Sequence, residues 1–559
     1  MKLPNVYNYG TLFAFSGLDG ENEHKNDFCG VTMQTPVTIR FDSTTPVSLH
    51  CAVKNAQMDT VLSDMIESEE LLLLFADKHT VLGHCSAPVS VFAEGIEAKP
   101  LDGAKVLCAD GFAYALFTEG ERFAFCREDS AERAIAAAKE KITQDLNALR
   151  QSKLAYYAQK PPCPRKDYER LYYKCLSVNK VNVYSPQDDI DCRFTTPDRL
   201  PHRHMWLWDS MFHAMAFVRY DPQMAKESIL AVLQCQKEDG FIPHMMKSRT
   251  VTSSITQPQV IAWAVLEVYR RTGDKAFLAD CAEKIAAFLL WFPLHRDQNR
   301  NGLLEWKTDF SNVRCRCDES GMDNSPRFDT TETLEAIDSS SFFVHDCRCM
   351  AEIFRILKND AQAQRFDALA NETSQKVNDL LWDETAGGYC DRTLSGKLTG
   401  VLTCCSFLPL FAGICDEEKA AKLVELLQDE TKFAVPLPVP SISRDHPDFG
   451  TDMWRGGVWL NFNYFIIQGL QRYGYFDLAR TLREKTLQTV ERYFEQTGVI
   501  FEFYDALDRV IPWFLERKGP QPAVPDYRVR YHSIADFNWS ACFTLLMLLE
   551  EPDAEESNA

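Results

Sequence analysis

Between residues 206 and 549 the chain alternates two kinds of helical segment, one apolar on nearly every side and the next apolar along a single stripe. The apolar run 206–220 is followed by Asp221-Pro222, an N-cap and a first-turn proline, and by an amphipathic run to 236. The alternation recurs as 258–271 with 275–291, 339–358 with 361–382, 401–412 with 417–428, and 457–472 with 476–496, and a last apolar run covers 534–549. With the segment 168–178 this makes about a dozen helices, joined alternately by tight turns and long loops. An all-round apolar helix must be enclosed on every side, and a one-stripe helix is suited to enclosing it. A helical solenoid would keep its loops short and its period fixed at ~34 to 47 residues, which these spacings do not. The pattern therefore predicts a closed double ring, an (α/α)6 toroid, with apolar helices inside, amphipathic helices outside and the long loops gathered at one mouth.

The first part of the chain has another texture. Short β-prone runs at 37–41, 47–53 and 112–117 are separated by Gly, Pro, Asp and Ser, which predicts a β-sandwich. The expected division is a β-rich domain over 1–128, a helical linker over 129–160 rich in Ala, Glu, Lys and Gln, and the toroid as catalytic domain over 161–559. With Lys+Arg 60 against Asp+Glu 80 the net charge is −20, which argues against nucleic acid or an anionic membrane surface as partner. No stretch is apolar for long enough to cross a bilayer. The first residues lack the apolar core of a signal peptide, so the cytoplasm is the expected compartment. The 19 cysteines are odd in number and scattered, many in apolar helical contexts, and read as reduced core thiols. The pairs Cys315/Cys317 and Cys347/Cys349 lack the C-x-x-C spacing of a zinc ribbon.

Four segments on the expected long loops or inner-helix starts carry unusual chemistry. In 202–213 (HRHMWLWDSMFH), Trp206 and Trp208 offer flat apolar faces beside the Asp209 carboxylate, a combination that grips a sugar ring; an aromatic inner helix with Asp209 as its cap fits equally well. In 318–329 (DESGMDNSPRFD), four carboxylates with Gly and Pro form a loop where like charges raise at least one pKa, or simply a solvated acidic turn. Segment 454–464 (WRGGVWLNFNY) sets an arginine between tryptophans beside paired glycines. In 499–505 (VIFEFYD), Glu502 is flanked by large apolar residues, where an unpaired carboxylate is costly to bury.

Taken in order, WLWDSMFH, ESGMDNSPRFD, WRGxVW and FEFY resemble the inverting α-glycosidases of glycoside hydrolase family 63, to which the family 37 trehalases are related. The resemblance covers roughly 140–550. It implies Asp323 as general acid and Glu502 as general base, with Trp206, Trp208, Asp209, Gln257, Arg327, Trp454 and Arg455 lining the sugar subsite. Three departures bear on substrate choice: Asp318 stands where many relatives have tryptophan before ESG, WRGPVW has become WRGGVW, and Gln-Pro-Pro has become Gln257-Pro258-Gln259.

The implied reaction is hydrolysis of the α-glycosidic bond of a small oligosaccharide, glucoside or mannoside with inversion, the two carboxyls standing ~6.5 to 9.5 Å apart. As the acid, Asp323 would need a pKa about two units above ~3.9. No cofactor is required. Asp297, Asn299 and Asn301 start a D-x-N-x-N-G loop of calcium-binding type, although Thr308 stands where an EF-hand has its twelfth-position Glu, and a plain polar turn is the alternative. An acidic aglycone would call for basic groups, for which His202, Arg203, Lys247 and Arg249 are candidates. Two other classes remain open: a sugar epimerase or isomerase using His202, His204, His213 or His244, and a non-catalytic carbohydrate-binding protein. A phosphorylase would need a cationic phosphate site.

Overall fold

The structure is a computed structural model in which residues 11–18, 28–32, 37–41, 45–53, 58–309, 311–312, 314–329, 333–523 and 530–550 are described. The chain opens with thirteen strands: β1 (Leu12–Ala14), β2 (Cys29–Thr32), β3 (Val37–Phe41), β4 (Val47–Cys51), β5 (Met58–Leu62), β6 (Met65–Ser68), β7 (Leu71–Asp77), β8 (Thr80–Cys85), β9 (Val89–Ala93), β10 (Lys99–Leu101), β11 (Ala104–Ala109), β12 (Phe112–Glu119) and β13 (Arg122–Glu128). They form two antiparallel sheets, ordered β1-β2-β3-β4-β9 and β10-β11-β12-β13-β8-β7-β6-β5. Val37, Ile39 and Phe41 from the first and Leu71, Leu73 and Phe75 from the second lie in one shared core. On the other side of β7, Leu72 and Leu74 join the core of the helical part, together with Ala134, Ile135 and Ala138. Side chains alternate faces along a strand, so the unbroken apolar run 71–75 records a strand covered on both faces.

Fourteen helices follow: α1 (Ala131–Lys141), α2 (Leu146–Ala158), α3 (Glu169–Val181), α4 (Leu207–Phe217), α5 (Pro222–Leu233), α6 (Ile261–Thr272), α7 (Lys275–His295), α8 (Ile337–Ile356), α9 (Asp360–Leu380), α10 (Leu408–Ala412), α11 (Glu417–Gln428), α12 (Leu460–Arg472), α13 (Phe476–Thr497) and α14 (Asn538–Leu549). Side chains of Ser130, Asp145, Asp221, Asp274, Asn359 and Asp416 accept from first-turn amides, which fixes the starts of α1, α2, α5, α7, α9 and α11. Helices α4, α6, α8, α10, α12 and α14 each touch the next, and α14 touches α4, so their contacts close on themselves. Against this set pack α5, α7, α9, α13 and α3. The two kinds of helix differ as the alternation requires: every residue of α4 is buried, whereas α13 buries one stripe that includes Leu482, Leu487, Val490 and Phe494.

Several expected helices are shorter in the structure, and two of them show why. In 401–412 the first turn is a 3-10 turn at Cys404–Phe407, closed by a reciprocal Thr403–Ser406 capping box, and only Leu408–Ala412 is α-helical. The last helix begins at Asn538 rather than 534, because Ile534 and Ala535 pair instead with the backbone of Phe501 and Glu502. That pairing positions Glu502.

Candidate active site

A cavity of about 320 Å³ is lined by Trp206, Trp208, Asp209, Gln257, Asp323 and Glu502, and by Trp459, Arg517, Lys518 and Trp539 among others. Trp206 is the last extended residue before α4, and Asp209 lies in the first turn of that helix. Gln257 Oε1 accepts the Trp208 backbone amide at 3.2 Å, so it supplies a partner for an open amide of that helix start. Burial, together with the Asp198, Glu502 and Asp323 charges, pushes the Asp209 pKa well above the carboxylate range.

The loop 315–329 is held at several points and presents two carboxylates, those of Asp318 and Asp323, to the cavity. Glu319 is gripped by Arg296 and accepts the Thr256 amide. Ser320 Oγ donates to Cys317 O and accepts from Met322 N. Gly321 has φ +71, and a Cβ built on it would lie 2.2 Å from the Trp208 ring, so the glycine is required both by the backbone and by the indole it supports. Asn324 Oδ1 accepts the Trp454 amide and ties this loop to the third motif.

Glu502 is 2 % exposed. Its amide donates to Ile534 O at 2.9 Å, and its carboxylate accepts from Arg517 Nε at 3.0 Å and from Ile534 N at 3.3 Å. Behind the arginine, His202 Nε2 receives Arg517 Nη2 at 3.4 Å, and His202 Nδ1 meets Asp198 Oδ2 at 2.5 Å. A guanidinium can only donate, so Nε2 is the accepting nitrogen and Nδ1 carries the proton toward Asp198. Burial works to raise the Asp198 pKa, but His202 and Arg517 outweigh it and hold the group below its ordinary value. Burial likewise works against the charge of Arg517, and Glu502, Asp323 and Asp198 overcome it.

Asp323 pairs with the next residue in the chain: Lys518 Nζ lies 2.5 Å from Asp323 Oδ2. Consecutive cations thus hold the two carboxylates. Lys518 has φ +61, and its amide and that of Gly519 both donate to the Asp452 carboxylate, at 2.8 and 2.9 Å, which anchors the turn.

Three of the residues expected at the sugar subsite lie behind the cavity wall. Arg327 is 1 % exposed and clamped by Asp338 and Asp391 at 2.7 and 2.6 Å, so its guanidinium is committed to holding the loop. Trp454 is fully buried, its ring stacked 3.8 Å from that of Trp459, and it is Trp459 that lines the cavity. Arg455 pairs with Asp329. Conversely, Arg517, Lys518, Trp459 and Trp539 were missed. Arg517-Lys518 in LERKGP has the composition of an ordinary surface turn, and only the fold shows what it faces.

Of the histidines considered for proton transfer at carbon, His202 lines the cavity. His213 is wholly buried on α4 against Thr195, its pKa lowered to about 3 by burial, and His244 is lowered to about 4, again chiefly by burial. Among the candidates for an acidic aglycone, the Arg249 guanidinium pairs with Asp191 while its backbone amide donates to Asp189, and Arg203 donates to Arg199 O.

The 297–302 loop is a turn in which both Asp297 oxygens accept backbone amides, of Asn301 and Gly302. Asn299 and Asn301 both reach Glu335 Oε1, at 2.7 and 2.5 Å. Glu335 lies directly opposite Glu305 in an antiparallel pair, and both are 0 % exposed. Neither glutamate was foreseen, because both lie outside the D-x-N-x-N-G stretch.

Residues 202–509 match the model of the mannosylglycerate hydrolase MGH1-like glycoside hydrolase domain. Mannosylglycerate hydrolase MGH1 of Selaginella moellendorffii is 27 % identical over 393 residues, covering 56 % of this chain and 77 % of its own. Mannosylglycerate hydrolase of Rubrobacter radiotolerans is 26 % identical over 400 residues, covering 56 % and 88 %. Among solved structures, the GH63 mannosylglycerate hydrolase of Thermus thermophilus in complex with glucose aligns at TM-score 0.56 and 24 % identity over 67 % of this chain and 99 % of that one. A bacterial glucoamylase complexed with acarbose aligns at TM-score 0.56 and 11 % identity over 97 % of this chain and 85 % of that one, a likeness of fold that takes in the N-terminal sheets.

Proposed function

The chain belongs to the mannosylglycerate hydrolase MGH1-like glycoside hydrolases of the GH63 type, and from that membership we propose that it hydrolyses the α-glycosidic bond of a small glucoside or mannoside with inversion. The observation that carries the reading is the meeting of Asp323 and Glu502, 179 residues apart in sequence, in one cavity walled by Trp206, Trp208 and Asp209. Asp323 would protonate the leaving oxygen, and Glu502 would take a proton from the water that attacks the opposite face of the sugar. Arg517 orients Glu502, and the Asp198–His202 pair orients Arg517. Asp209, buried and with its pKa raised by that burial, can hydrogen-bond a sugar hydroxyl. A cavity of about 320 Å³ suits one sugar ring and a short aglycone. We read the closed set of six helices and those packed against it as an (α/α)6 toroid, and the two N-terminal sheets as a β-sandwich. The 19 unpaired cysteines support work in a reducing compartment on small imported glycosides.

The test is a panel of α-glucosyl and α-mannosyl disaccharides and glycerates, followed by NMR for the anomer released first. The β-anomer is expected, and an α-anomer would overturn the assignment of base to Glu502. Asp323→Asn and Glu502→Gln should each lower kcat by about 10²-fold or more while sugar binding survives.

We further propose that the 297–305 turn holds a calcium ion. Glu305 and Glu335 stand opposite each other in the strand pair with Asp297 beside them; Gln298 hydrogen-bonds both Glu305 oxygens and Arg392 offsets one of the three charges, which leaves two for a cation to balance. Asp297, Asn299, Asn301, Glu305 and Glu335 supply the carboxylate and amide oxygens that this hard cation takes.

A further inference from the structure

The Lys518–Asp323 pair conflicts with the role given to Asp323, and the cluster around it offers a resolution. An ammonium 2.5 Å away favours an ionised carboxylate, whereas protonating a leaving oxygen needs the acid form. Lys518 has a second carboxyl within reach. Its Nζ lies 3.3 Å from Cys315 Sγ, and that thiol hydrogen-bonds Asp318 Oδ1. The Cys315 sulfur and one oxygen from each of Asp318 and Asp323 lie within 4.8 Å of one another. Two carboxyls and one ammonium therefore share a single small volume beside the cavity.

Two carboxyls this close to a single ammonium favour one shared proton. Although the Asp318 side chain is exposed, desolvation of its carboxyl and the Asp323 charge raise its pKa above its ordinary value, against the pulls of Lys518 and of the Cys315 thiol. Asp309 on the same loop adds a negative charge. Cys315 keeps its proton, since burial and the Asp323 charge push its pKa up. From other elements, the cluster is faced by Asp209 of α4, whose pKa burial raises, by His244, whose pKa is lowered to about 4, and by the Arg517–Glu502 pair.

We propose that Lys518 is an exchangeable counter-ion of the acid: when an aglycone enters, the ammonium passes from Asp323 to Asp318 while the Asp318 proton passes to Asp323 and arms it. The O–H bond of Asp318 breaks, the O–H bond of Asp323 forms, and the ammonium moves the opposite way. The cluster keeps its charge and needs no outside donor. Asp318 and Lys518 are positioning residues in this scheme, and they act through Asp323. The inference rests on the hydrolase reading above.

The test is a set of pH–rate profiles for Lys518→Met and Asp318→Asn on two kinds of substrate. Without the ammonium, the alkaline limb of kcat/KM should move up by about one pH unit. Without the second carboxyl, the ammonium has only Asp323 to hold, so the limb should move down by about one unit and the rate above it should fall about tenfold. Asp318→Glu should restore the limb. On α-glycosyl fluorides, whose leaving group needs no proton, the loss in Asp318→Asn should be at most threefold, well short of the about tenfold loss on ordinary glycosides. Limbs that stay fixed or move in the same direction, or an Asp318→Asn loss equal on both substrates, would overturn the exchange. Failure of the hydrolase reading would look different, since Asp323→Asn would then keep its full rate on ordinary glycosides.

Discussion

Single residues divide into those whose role follows from their type and those whose role follows from where the fold puts them. Glu502 belongs to the first kind: a carboxylate between Phe501 and Phe503 must find a partner or do work, and its near-complete burial against Arg517 makes that need concrete. Arg327 belongs to the second. Its neighbours in ESGMDNSPRFD suggest a sugar contact, but Asp338 and Asp391 lie far from it in sequence or on another element, and nothing local announces the clamp they form. Gly321 is the residue at which a minimal change is most informative. Alanine there must adopt φ near +71 and place its Cβ against the Trp208 indole. Gly321→Ala should cost about 2 to 4 kcal/mol in stability, from the left-handed backbone and overpacking together, and should lower kcat/KM further because Trp208 lines the cavity. Thermal melting and kinetics on one preparation measure both effects; a variant with unchanged melting and rate would show that the indole yields freely.

At the scale of elements, the alternation of apolar and one-stripe helices was legible, because burial on all sides and burial on one side leave different periodicities. Less legible were ends decided by partners elsewhere. The residues 534–537 continue an apolar pattern into α14, yet Ile534 and Ala535 bind the Glu502 strand, and backbone hydrogen bonding across the fold overrides local helical preference. The same limit hid the carboxylate partners of the 297–302 turn. The turn lies in one stretch of sequence, while Glu335 comes from the strand opposite and is recruited by register. On the proposal that the turn holds calcium, the melting temperature should fall on treatment with a chelator such as EGTA and recover with added calcium but not with magnesium, which demands a tight octahedron. Glu335→Gln should remove most of the chelator response, and an unchanged melting temperature in EGTA would leave the turn a plain hydrogen-bonded one.

Across the whole molecule, the N-terminal sheets are joined to the helices by charge as well as by apolar packing. Asp64, in the turn between β5 and β6, is 0 % exposed and pairs with Lys180 of α3 at 2.8 Å and with Lys153 of α2 at 3.4 Å. Burial opposes its ionisation, and the two lysines overcome that and hold its pKa below the usual carboxylate range. A second buried knot forms at Asp536, whose carboxylate accepts from Lys174 of α3, from the Leu12 amide of β1 and from the Ile500 amide two residues before Glu502. β1 is thereby connected to the segment that carries the proposed base. Partners 116 and 362 residues apart leave no trace in local composition, which is why the sequence suggested a separable β domain followed by a linker. Removing one side of a buried pair strands the other charge, so Asp64→Ala should cost about 3 to 5 kcal/mol. Replacing Asp64 and Lys180 together, by Leu and Met, should recover part of that, with Lys153 left as the remaining buried cation of the knot. Calorimetry should show one cooperative transition in the native protein and its displacement as a unit in Asp64→Ala, with sheet and helix signals lost together. A separate low-temperature transition in Asp64→Ala that leaves the helical signal and the hydrolytic activity intact would mean that the sheets are only attached to the catalytic part and do not help to hold it.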